Sequence, residues 1–495
     1  MKHFIATLFV LSLIGQAGAQ PIHTDLPAPE AIPARPLSTT LTLEQCIELA
    51  LQNQPSVRQS ELQQQIADNT VEQTRKSQLP VVSGLSNQGI NFGRNVDPYT
   101  NGITNAQIAT NSAGLGLNWT VFNGFQLKNT LIQQGLAAKA GLYDVAATKN
   151  AVSLNTLLAY LQVLSAQDLL SASDVQVEVS RRQVERTEKL VKSGTTAPFN
   201  LYDAKSQLAN DEMQRVQART NLNTANLTLL QVLNLPSTTP LQVTRLESGG
   251  VANGDLPGPG TTDAYQLYTK ARTFMPEVLA ADLRTKAAQK GLDLAKGLGY
   301  PVVSLNANWG TSYSSAARRS VYGTEMVEQT TTGFVDVAGQ AYPVKVMTPT
   351  SGTERIGYFG QLGNNQYKSV GVSVRIPIVN GLQVRYRTTS ARLQQQLAES
   401  QAEGVRRGLR QAIDQAVNQW QNAYERYAAL AQQVTVLEQS YRAAEARYTA
   451  GLLNAVDYNL SKSNLDRAAV NLIQARYETL LRAKVAEFYR DGTLL

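Results

Sequence analysis

The sequence repeats itself, and this repeat limits the possible folds more than any other feature. Pro80-Val81-Val82-Ser83 returns as Pro301-Val302-Val303-Ser304, 221 residues further along the chain. Further on, Gly194 recurs as Gly451, 257 residues away. A long internal repeat of this kind predicts two similar structural units in one chain. The offset grows between residues 304 and 380, so the second unit carries an insertion there, and insertions fit best in exposed loops.

Each unit is predicted to contain the same elements in the same order: short helices, a β-hairpin and a long helical hairpin. A linker separates the two units. The predicted ranges are 41–236 for the first unit, with its β-hairpin at 80–124 and helical hairpin at 127–235; 237–261 for the linker; and 262–492 for the second unit, with its β-hairpin at 301–380 and helical hairpin at 382–489.

The first helix of each helical hairpin is predicted to be unusually long, over residues 127–192 and 382–449. Neither stretch contains proline, and both are rich in Ala, Leu, Gln, Glu and Arg, which favour helix. At about 1.5 Å per residue each helix would extend roughly 100 Å. Rods of this length need an equally long partner for their apolar side, and the shorter helices of each unit, placed end to end, would provide it.

The strand-like stretches alternate between apolar residues and small or polar ones. In the second strand Leu115, Leu117 and Trp119 fall on one face and Asn118 on the other, and in the fourth strand Arg375 falls on the polar face. Strands of outer membrane barrels alternate in this way, apolar toward lipid and polar toward the lumen. The pattern therefore predicts that Asn118 and Arg375 face a lumen, although a soluble sheet with one wet face has similar alternation.

Four strands are too few to close a barrel, so the barrel interpretation requires several copies, and three copies supply twelve strands. Long loops of such barrels lie on the extracellular side, which is where we expect the insertion. The first strand is ambiguous, because Val81 and Leu85 do not follow the phase of the other three.

The first residues resemble a cleaved secretory signal. A charged start and a short apolar stretch precede Ala17-Gly18-Ala19, which predicts a signal peptide over residues 1–19. Residues 20–40 are rich in proline and are predicted to be a flexible linker.

The mature chain would then contain a single histidine and no metal-ligand cluster or nucleophile–base pair, so no enzyme activity, metal or cofactor is expected. The net charge is only +7, and the Lys and Arg residues are interspersed with Asp and Glu. This distribution argues against a nucleic-acid-binding patch.

Several motifs together resemble the TolC-like outer membrane efflux protein family. They are the helix that runs from Leu43 to Leu51, the two Asn-Gly strand ends, and the two segments around Gly194 and Gly451 where the helical hairpins turn. The resemblance covers nearly the whole mature chain.

The resemblance implies an α+β membrane protein of the bacterial outer membrane. Its long α-helical coiled-coil barrel would lie in the periplasm and continue into a twelve-stranded β-barrel formed by a homotrimer, four strands per chain, embedded in outer membrane lipid. It further implies a channel for efflux or type I secretion that works with a periplasmic adaptor and an inner-membrane transporter. The turns would contact the adaptor through Gly194, Thr195, Gly451, Leu452 and Leu453.

In the family, polar residues at the turns close the periplasmic end. Tyr448 and Asp457 match two of these gate residues, whereas Leu453 and Leu460 occupy positions where the family has Arg and Asp. Asn200 occupies the position of an Asp in the first turn, with Asp203 one turn later. The resemblance thus implies a periplasmic gate at Tyr448, Asp457, Asn200 and Asp203, but with reduced or rearranged polar contacts.

Simpler structural roles are also open for these residues. The two glycines would supply turns with positive φ, and Asn200 and Asp457 would cap helix starts. For the whole chain, the alternatives are a periplasmic coiled-coil adaptor and a structural coiled-coil protein. A single helical hairpin followed by β-rich domains would be expected of the adaptor, and the duplicated strand pairs argue against it.

Overall fold

The computed structural model describes residues 40–96, 102–105, 107–245, 256, 258–260 and 263–493. The predicted signal peptide over 1–19 lies outside these residues, as does the predicted linker up to residue 39. The later part of the predicted inter-repeat linker is also largely outside them.

The described residues form nine helices, and two of them are very long. In chain order the helices are α1 (Leu43–Asn53), α2 (Pro55–Lys76), α3 (Gln126–Lys192), α4 (Pro198–Val232), α5 (Ala264–Ala271), α6 (Pro276–Gly297), α7 (Tyr358–Asn364), α8 (Gln383–Thr449) and α9 (Ala455–Asp491).

Helices α3 and α8 each contain 67 residues, and their bounds agree with the predicted ones to within one residue. Both α2 and α4 pack on α3, and α6 and α9 pack on α8, as expected from their lengths; α6 and α9 also contact α3. Within the described part of the chain, no helix is both long and apolar enough to cross a membrane.

The described residues also form ten strands. In chain order they are β1 (Thr40–Leu41), β2 (Val81–Asn91), β3 (Arg94–Val96), β4 (Ile103–Asn105), β5 (Ile108–Asn123), β6 (Gln242–Val243), β7 (Val302–Ser314), β8 (Arg318–Val337), β9 (Gln340–Arg355) and β10 (Tyr367–Arg375). The main sheet has four antiparallel strands in the order β10-β7-β5-β2.

The strand register shows which side chains share a face of this sheet. Asn118 is opposite Asn306 of β7, and Arg375 of β10 is opposite Val302, two pleats along β7 on the same face. On β2, Val81 is opposite Asn118 and Leu85 is opposite Gly114. The two apolar residues of β2 therefore lie on the polar face, so β2 departs from the alternation of the other strands.

The insertion is not an irregular loop. Strands β8 and β9 pair as a long antiparallel hairpin whose residues are mostly exposed, and α7 follows it. Gln361 of α7 is buried, and it joins α7 to β7 by accepting a hydrogen bond from the Ser314 amide at 2.8 Å and donating one to the Ser314 carbonyl at 3.0 Å. Alternation between faces is weak in β8 and β9, which is why the sequence pattern did not predict the hairpin.

Each repeat passes from strand to long helix through the same tight corner. Gly124 and Phe125 have φ values of +63° and +61°, and Gly381 and Leu382 both have +61°. Glycine adopts this conformation at little cost. At Gly124 a side chain would also collide with the backbone, because an added Cβ would lie 2.3 Å from the Gly297 carbonyl oxygen. The corner therefore brings the start of α3 against the end of α6.

The largest apolar core lies partway along the rods, where α1 and the short parallel pair β1–β6 pack on α3. Tyr160 of α3 is buried there, and its hydroxyl donates to the Thr244 carbonyl at 2.5 Å and lies 3.3 Å from the Leu41 carbonyl oxygen. Cys46 is fully buried in the same core, as predicted for a small core residue. Burial raises the pKa of its thiol to about 12.

Candidate functional site at the helical tips

The two helical hairpins end in nearly identical turns at the end of the rods opposite the sheet. Gly194 and Gly451 have φ values of +73° and +74°. The Thr195 amide donates to the Leu190 carbonyl at 2.9 Å, and the equivalent Leu452 amide donates to the Arg447 carbonyl at the same distance. Bonds of this kind satisfy carbonyls at a helix end and favour glycine in the left-handed position. Because α3 and α8 start at the sheet, the turns lie roughly 100 Å from it.

Polar contacts at the first tip remain within the first helical hairpin. The Ser193 and Thr195 hydroxyls are 2.8 Å apart, and the Asn200 side-chain amide donates to the Thr196 hydroxyl at 2.8 Å. Asp203 lies one turn further along α4 and is half-buried. In the described residues, no hydrogen bond or ion pair joins Asn200 or Asp203 to the second hairpin.

An aromatic cluster organises the second tip. The ring of Tyr448 stacks on Tyr458 with centroids 4.7 Å apart and an interplanar angle of 13°. The Tyr458 hydroxyl is 2.9 Å from the Tyr441 hydroxyl, and Tyr458 is buried. Burial raises the pKa of the Tyr458 phenol above its ordinary value, as does its hydrogen bond to Tyr441. The sequence analysis identified Tyr448 but not the residue on which it packs.

Neither Asn200 nor Asp457 caps a helix, so that suggested role is wrong. The N-cap of α9 is Asn454, whose side-chain oxygen accepts from the Asp457 amide at 2.8 Å. The N-cap of α4 is Ala197, which has no side-chain acceptor. The Asp457 carboxylate is left exposed, and Leu452 and Leu460 are exposed beside it, while Leu453 is half-buried.

A buried ion-pair network lies close above these tips. The Lys462 amine of α9 donates to Asp211 of α4 at 2.9 Å and to Asp466 of α9 at 2.9 Å. The side chains of Lys462 and Asp211 are only 5% and 2% exposed. Asp211 also accepts from the Ser180 hydroxyl of α3 and from the Gln207 amide of α4. The network therefore joins α3, α4 and α9.

The charges of this network compensate one another. Burial alone would lower the pKa of Lys462, but Asp466 and Asp211 outweigh it, so the pKa lies above its ordinary value and the amine stays protonated. Burial raises the pKa of Asp466, with Lys462 opposing the shift. Buried charges are tolerated only when paired and hydrogen-bonded in this way. The pair could not be recognised from the sequence alone, because Lys462 and Asp211 are 251 residues apart.

Comparison with known proteins identifies the family. The sequence profile of the family described as "Outer membrane efflux protein" matches residues 46–235 and 267–484, which is most of both repeats. The chain belongs to the outer membrane efflux protein family. The resemblance found in the sequence is thereby confirmed.

Relatives of known name agree with this assignment. The chain is 25% identical to Outer membrane protein TolC of Escherichia coli (strain K12) over 455 residues, which cover 90% of this chain and 81% of that protein. It shares its fold with the outer membrane protein VceC of Vibrio cholerae, with a TM-score of 0.71 at 16% identity over 92% of this chain and 97% of VceC. The MtrE outer membrane channel of Neisseria gonorrhoeae, in its open state, gives a TM-score of 0.67 at 15% identity over 90% and 88% of the two chains.

As a member of the outer membrane efflux protein family, the chain is an outer membrane channel protein and not an enzyme. The match across both repeats favours the channel over the periplasmic adaptor and the structural coiled coil. In the described residues, no three metal-ligating side chains come together.

Proposed function

We propose that this chain forms a homotrimeric channel of a tripartite efflux or type I secretion system. It receives substrates from a periplasmic adaptor and an inner-membrane transporter and releases them outside the cell. The observation that carries the proposal is the four-stranded sheet, in which β10 and β2 are edge strands with one neighbour each among the described strands. Edge strands leave backbone groups unpaired. If β10 pairs with β2 of the next copy, three chains close a twelve-stranded barrel, with Asn118 and Arg375 facing its lumen.

An exposed apolar stripe on α8 supports the same assembly. Leu382, Tyr386, Leu393 and Leu397 are each more than half exposed in the single chain. Tyr386, Leu393 and Leu397 are spaced seven and four residues apart, which places them on one face of α8, and Leu382 immediately precedes the helix. Ala391, which is buried, lies on the opposite face, and α8 packs against α6. A neighbouring subunit packed on this stripe would remove it from water and continue the ring of helices.

Purification from outer membranes tests the channel. The protein extracted in mild detergent should be a trimer, and it should form discrete conducting pores in planar lipid bilayers. Heat-dissociated protein from the same preparation is the control and should not conduct. Recovery as a soluble periplasmic monomer, or trimers that never conduct, would contradict the proposal.

The tips are proposed to contact the adaptor through Gly194, Thr195, Gly451, Leu452 and Leu453. Leu452 is 79% exposed, which suits an apolar contact. A Leu452→Cys variant should crosslink to a co-expressed adaptor, whereas Leu142→Cys, an exposed position near the sheet end of α3, should not. Cys46 is buried and its thiol pKa is raised to about 12, so this native cysteine should not react with the crosslinker. Equal crosslinking at both positions would contradict tip docking.

The periplasmic gate is proposed to involve Asp457 first, with Tyr448, Asn200 and Asp203 beside it. The Tyr448 ring already packs on Tyr458 in its own hairpin, whereas the Asp457 carboxylate is exposed and available to a neighbouring subunit. Asp457→Ala should therefore raise single-channel conductance and antibiotic leakage, while Asp457→Asn should have a smaller effect. Wild-type conductance and leakage in Asp457→Ala would exclude this role.

A further inference from the structure

We propose that the buried pair of Lys462 and Asp211 is the pivot about which the tips of the two helical hairpins separate. The inference rests on the proposed channel function, because it concerns how the closed end opens. It assigns to Lys462 a positioning role that the sequence resemblance does not give it.

Hydrogen bonds connect the two hairpins at the level of this pair, whereas on its tip side they stay within each hairpin. At the level of the pair, Lys462 and Asp211 join α9 of the second hairpin to α4 of the first, and Ser180 extends the link to α3. Toward the tips, every hydrogen bond and ion pair in the described residues 184–203 and 441–461 stays within one hairpin. Lys462 is thus the last polar link between the hairpins before their ends.

A small cleft lies between the hairpins at the level of the pair. Its lining comprises Val179, Ser180, Gln183, Ala204 and Gln207 of the first hairpin and Tyr458, Asn459 and Lys462 of the second. The cleft thus lies at the last level where polar groups of the two hairpins meet.

Each tip is also fastened internally, so that it can move as one body. The first turn is crosslinked by hydrogen bonds between Ser193 and Thr195 and between Asn200 and Thr196. The second is held by the stacked rings of Tyr448 and Tyr458. On the sheet side of the pair the hairpins are joined again, for example by the Tyr477 hydroxyl, which donates to Asp168 at 2.7 Å. Two internally fastened tips that, among the described residues, share no polar link beyond Lys462 can therefore turn about that level.

The buried pair is suited to hold while the tips move. Separating two desolvated charges leaves both uncompensated in a low-dielectric environment, which is far less favourable than parting exposed side chains. The exposed apolar residues of the tips, such as Phe199 and Leu452, are not bound by such a constraint. Motion is expected where resistance is lowest, on the tip side of Lys462.

The repeat provides a matched control. Lys462 of the second repeat corresponds to Lys205 of the first, yet Lys205 is exposed, and Ala468 is the buried residue that corresponds to Asp211. The two repeats have therefore diverged at this level, and only one of the paired lysines joins the hairpins.

Spin-label distances test the pivot. One label pair is placed at the tips (Thr195→Cys with Leu452→Cys) and one beside the ion pair (Met213→Cys with Asn464→Cys), in trimers diluted with unlabelled subunits. In the wild-type background the tip pair should give a broad distance distribution and the pair at 213 and 464 a narrow one. Lys462→Met should broaden the distribution at 213 and 464 to the width seen at the tips, and Lys205→Met should leave it narrow.

Lys462→Met leaves two carboxylates uncompensated and can fail to fold, so a neutral double variant, Lys462→Gln with Asp211→Asn, is measured alongside it. It removes both charges of the pair, Asn keeps the size of Asp, and Gln is one bond shorter than Lys, so the double variant should also broaden the distribution at 213 and 464. A narrow distribution there in the folded double variant would overturn the pivot, as would a tip distribution equally narrow in wild type. Wild-type trimers that never conduct in bilayers would instead contradict the channel function.

Discussion

Helices α3 and α8 have the same length and start at the same kind of corner, yet they are buried very differently. Among their described residues, α3 buries 16 side chains, with several of Leu, Val and Tyr, whereas α8 buries seven, most of them Ala. Helix α3 contacts α1, α2, α4, α6 and α9, and α8 contacts α5, α6 and α9. The duplicated helices have thus taken separate roles: α3 is the centre of the chain, and α8 lies at its edge with an apolar stripe left for a neighbour.

The largest effect is expected from a charge on the α8 stripe. Tyr386→Asp should abolish the trimer, because a carboxylate would be desolvated in the proposed contact between subunits. Light scattering coupled to size-exclusion chromatography in detergent measures this. Arg392→Asp, an exposed change on a different face of the same helix, is the control and should remain trimeric. A trimeric Tyr386→Asp protein would show that α8 is not the contact helix.

Replacing a leucine by alanine in each helix compares how much a buried and an exposed side chain contribute to stability. Leu157 of α3 is 1% exposed and Leu397 of α8 is 58% exposed in the single chain. Leu157→Ala should lower the free energy of unfolding of the dissociated subunit by about 2–5 kcal/mol. Leu397→Ala should change it by no more than about 0.5 kcal/mol. Urea titration followed by circular dichroism reads both, and equal losses would remove the distinction between the helices.

At their far ends the two helices should behave alike. Gly194→Ala and Gly451→Ala should each destabilise the local turn by about 1–2 kcal/mol, because alanine is disfavoured at positive φ. Gly135→Ala, inside α3 where an added Cβ meets nothing within 4 Å, should instead stabilise by up to about 1 kcal/mol. Amide hydrogen exchange around each site measures the changes. Unequal losses at the two turns would show that one tip carries an additional constraint.

The smallest expected effect distinguishes the returning helices α4 and α9. Asn454→Ala should destabilise the first turn of α9 by about 1 kcal/mol, since the Asp457 amide loses its acceptor. Ala197→Asn should stabilise the first turn of α4 by a similar amount, because an N-cap acceptor is added. Hydrogen exchange in these turns is again the measurement. No change in either variant would mean that the tips are ordered by neighbouring subunits rather than by their caps.

The sequence predicted the long helices well, because both stretches lack proline and end at glycines that favour a turn. It also predicted which residues share a face in β10 and in β5 up to Thr120, beyond which the pairing of β5 with β7 shifts by one residue. It did not resolve β2, since Val81 and Leu85 lie on the polar face and only the register with β5 shows this. The hairpin β8–β9 was expected to be a loop because its residues are exposed on both faces and follow no clear period.

The site was predicted in part. The turns at Gly194 and Gly451 could be found from local signals and from the repeat. The pair of Lys462 and Asp211 could not, because it depends on how two distant helices align along their length. The repeat aligns Lys462 with Lys205, yet the first of these side chains is buried and the second is exposed. Repeats indicate shared backbone geometry, and divergence within them must be located in three dimensions.

The equal length of α3 and α8 also constrains how such a chain can change over evolutionary time. Deleting one residue from α3 would rotate everything beyond it by about 100° and shift it by about 1.5 Å. The Lys462–Asp211 pair and the level of the two turns would then be lost unless α8 changed too. Insertions and deletions in these rods should therefore be inherited as matched sets, in steps of about seven residues, which restore the helix face. The lengths of α3 and α8 should therefore change together during evolution, although the two helices are encoded by separate parts of the sequence.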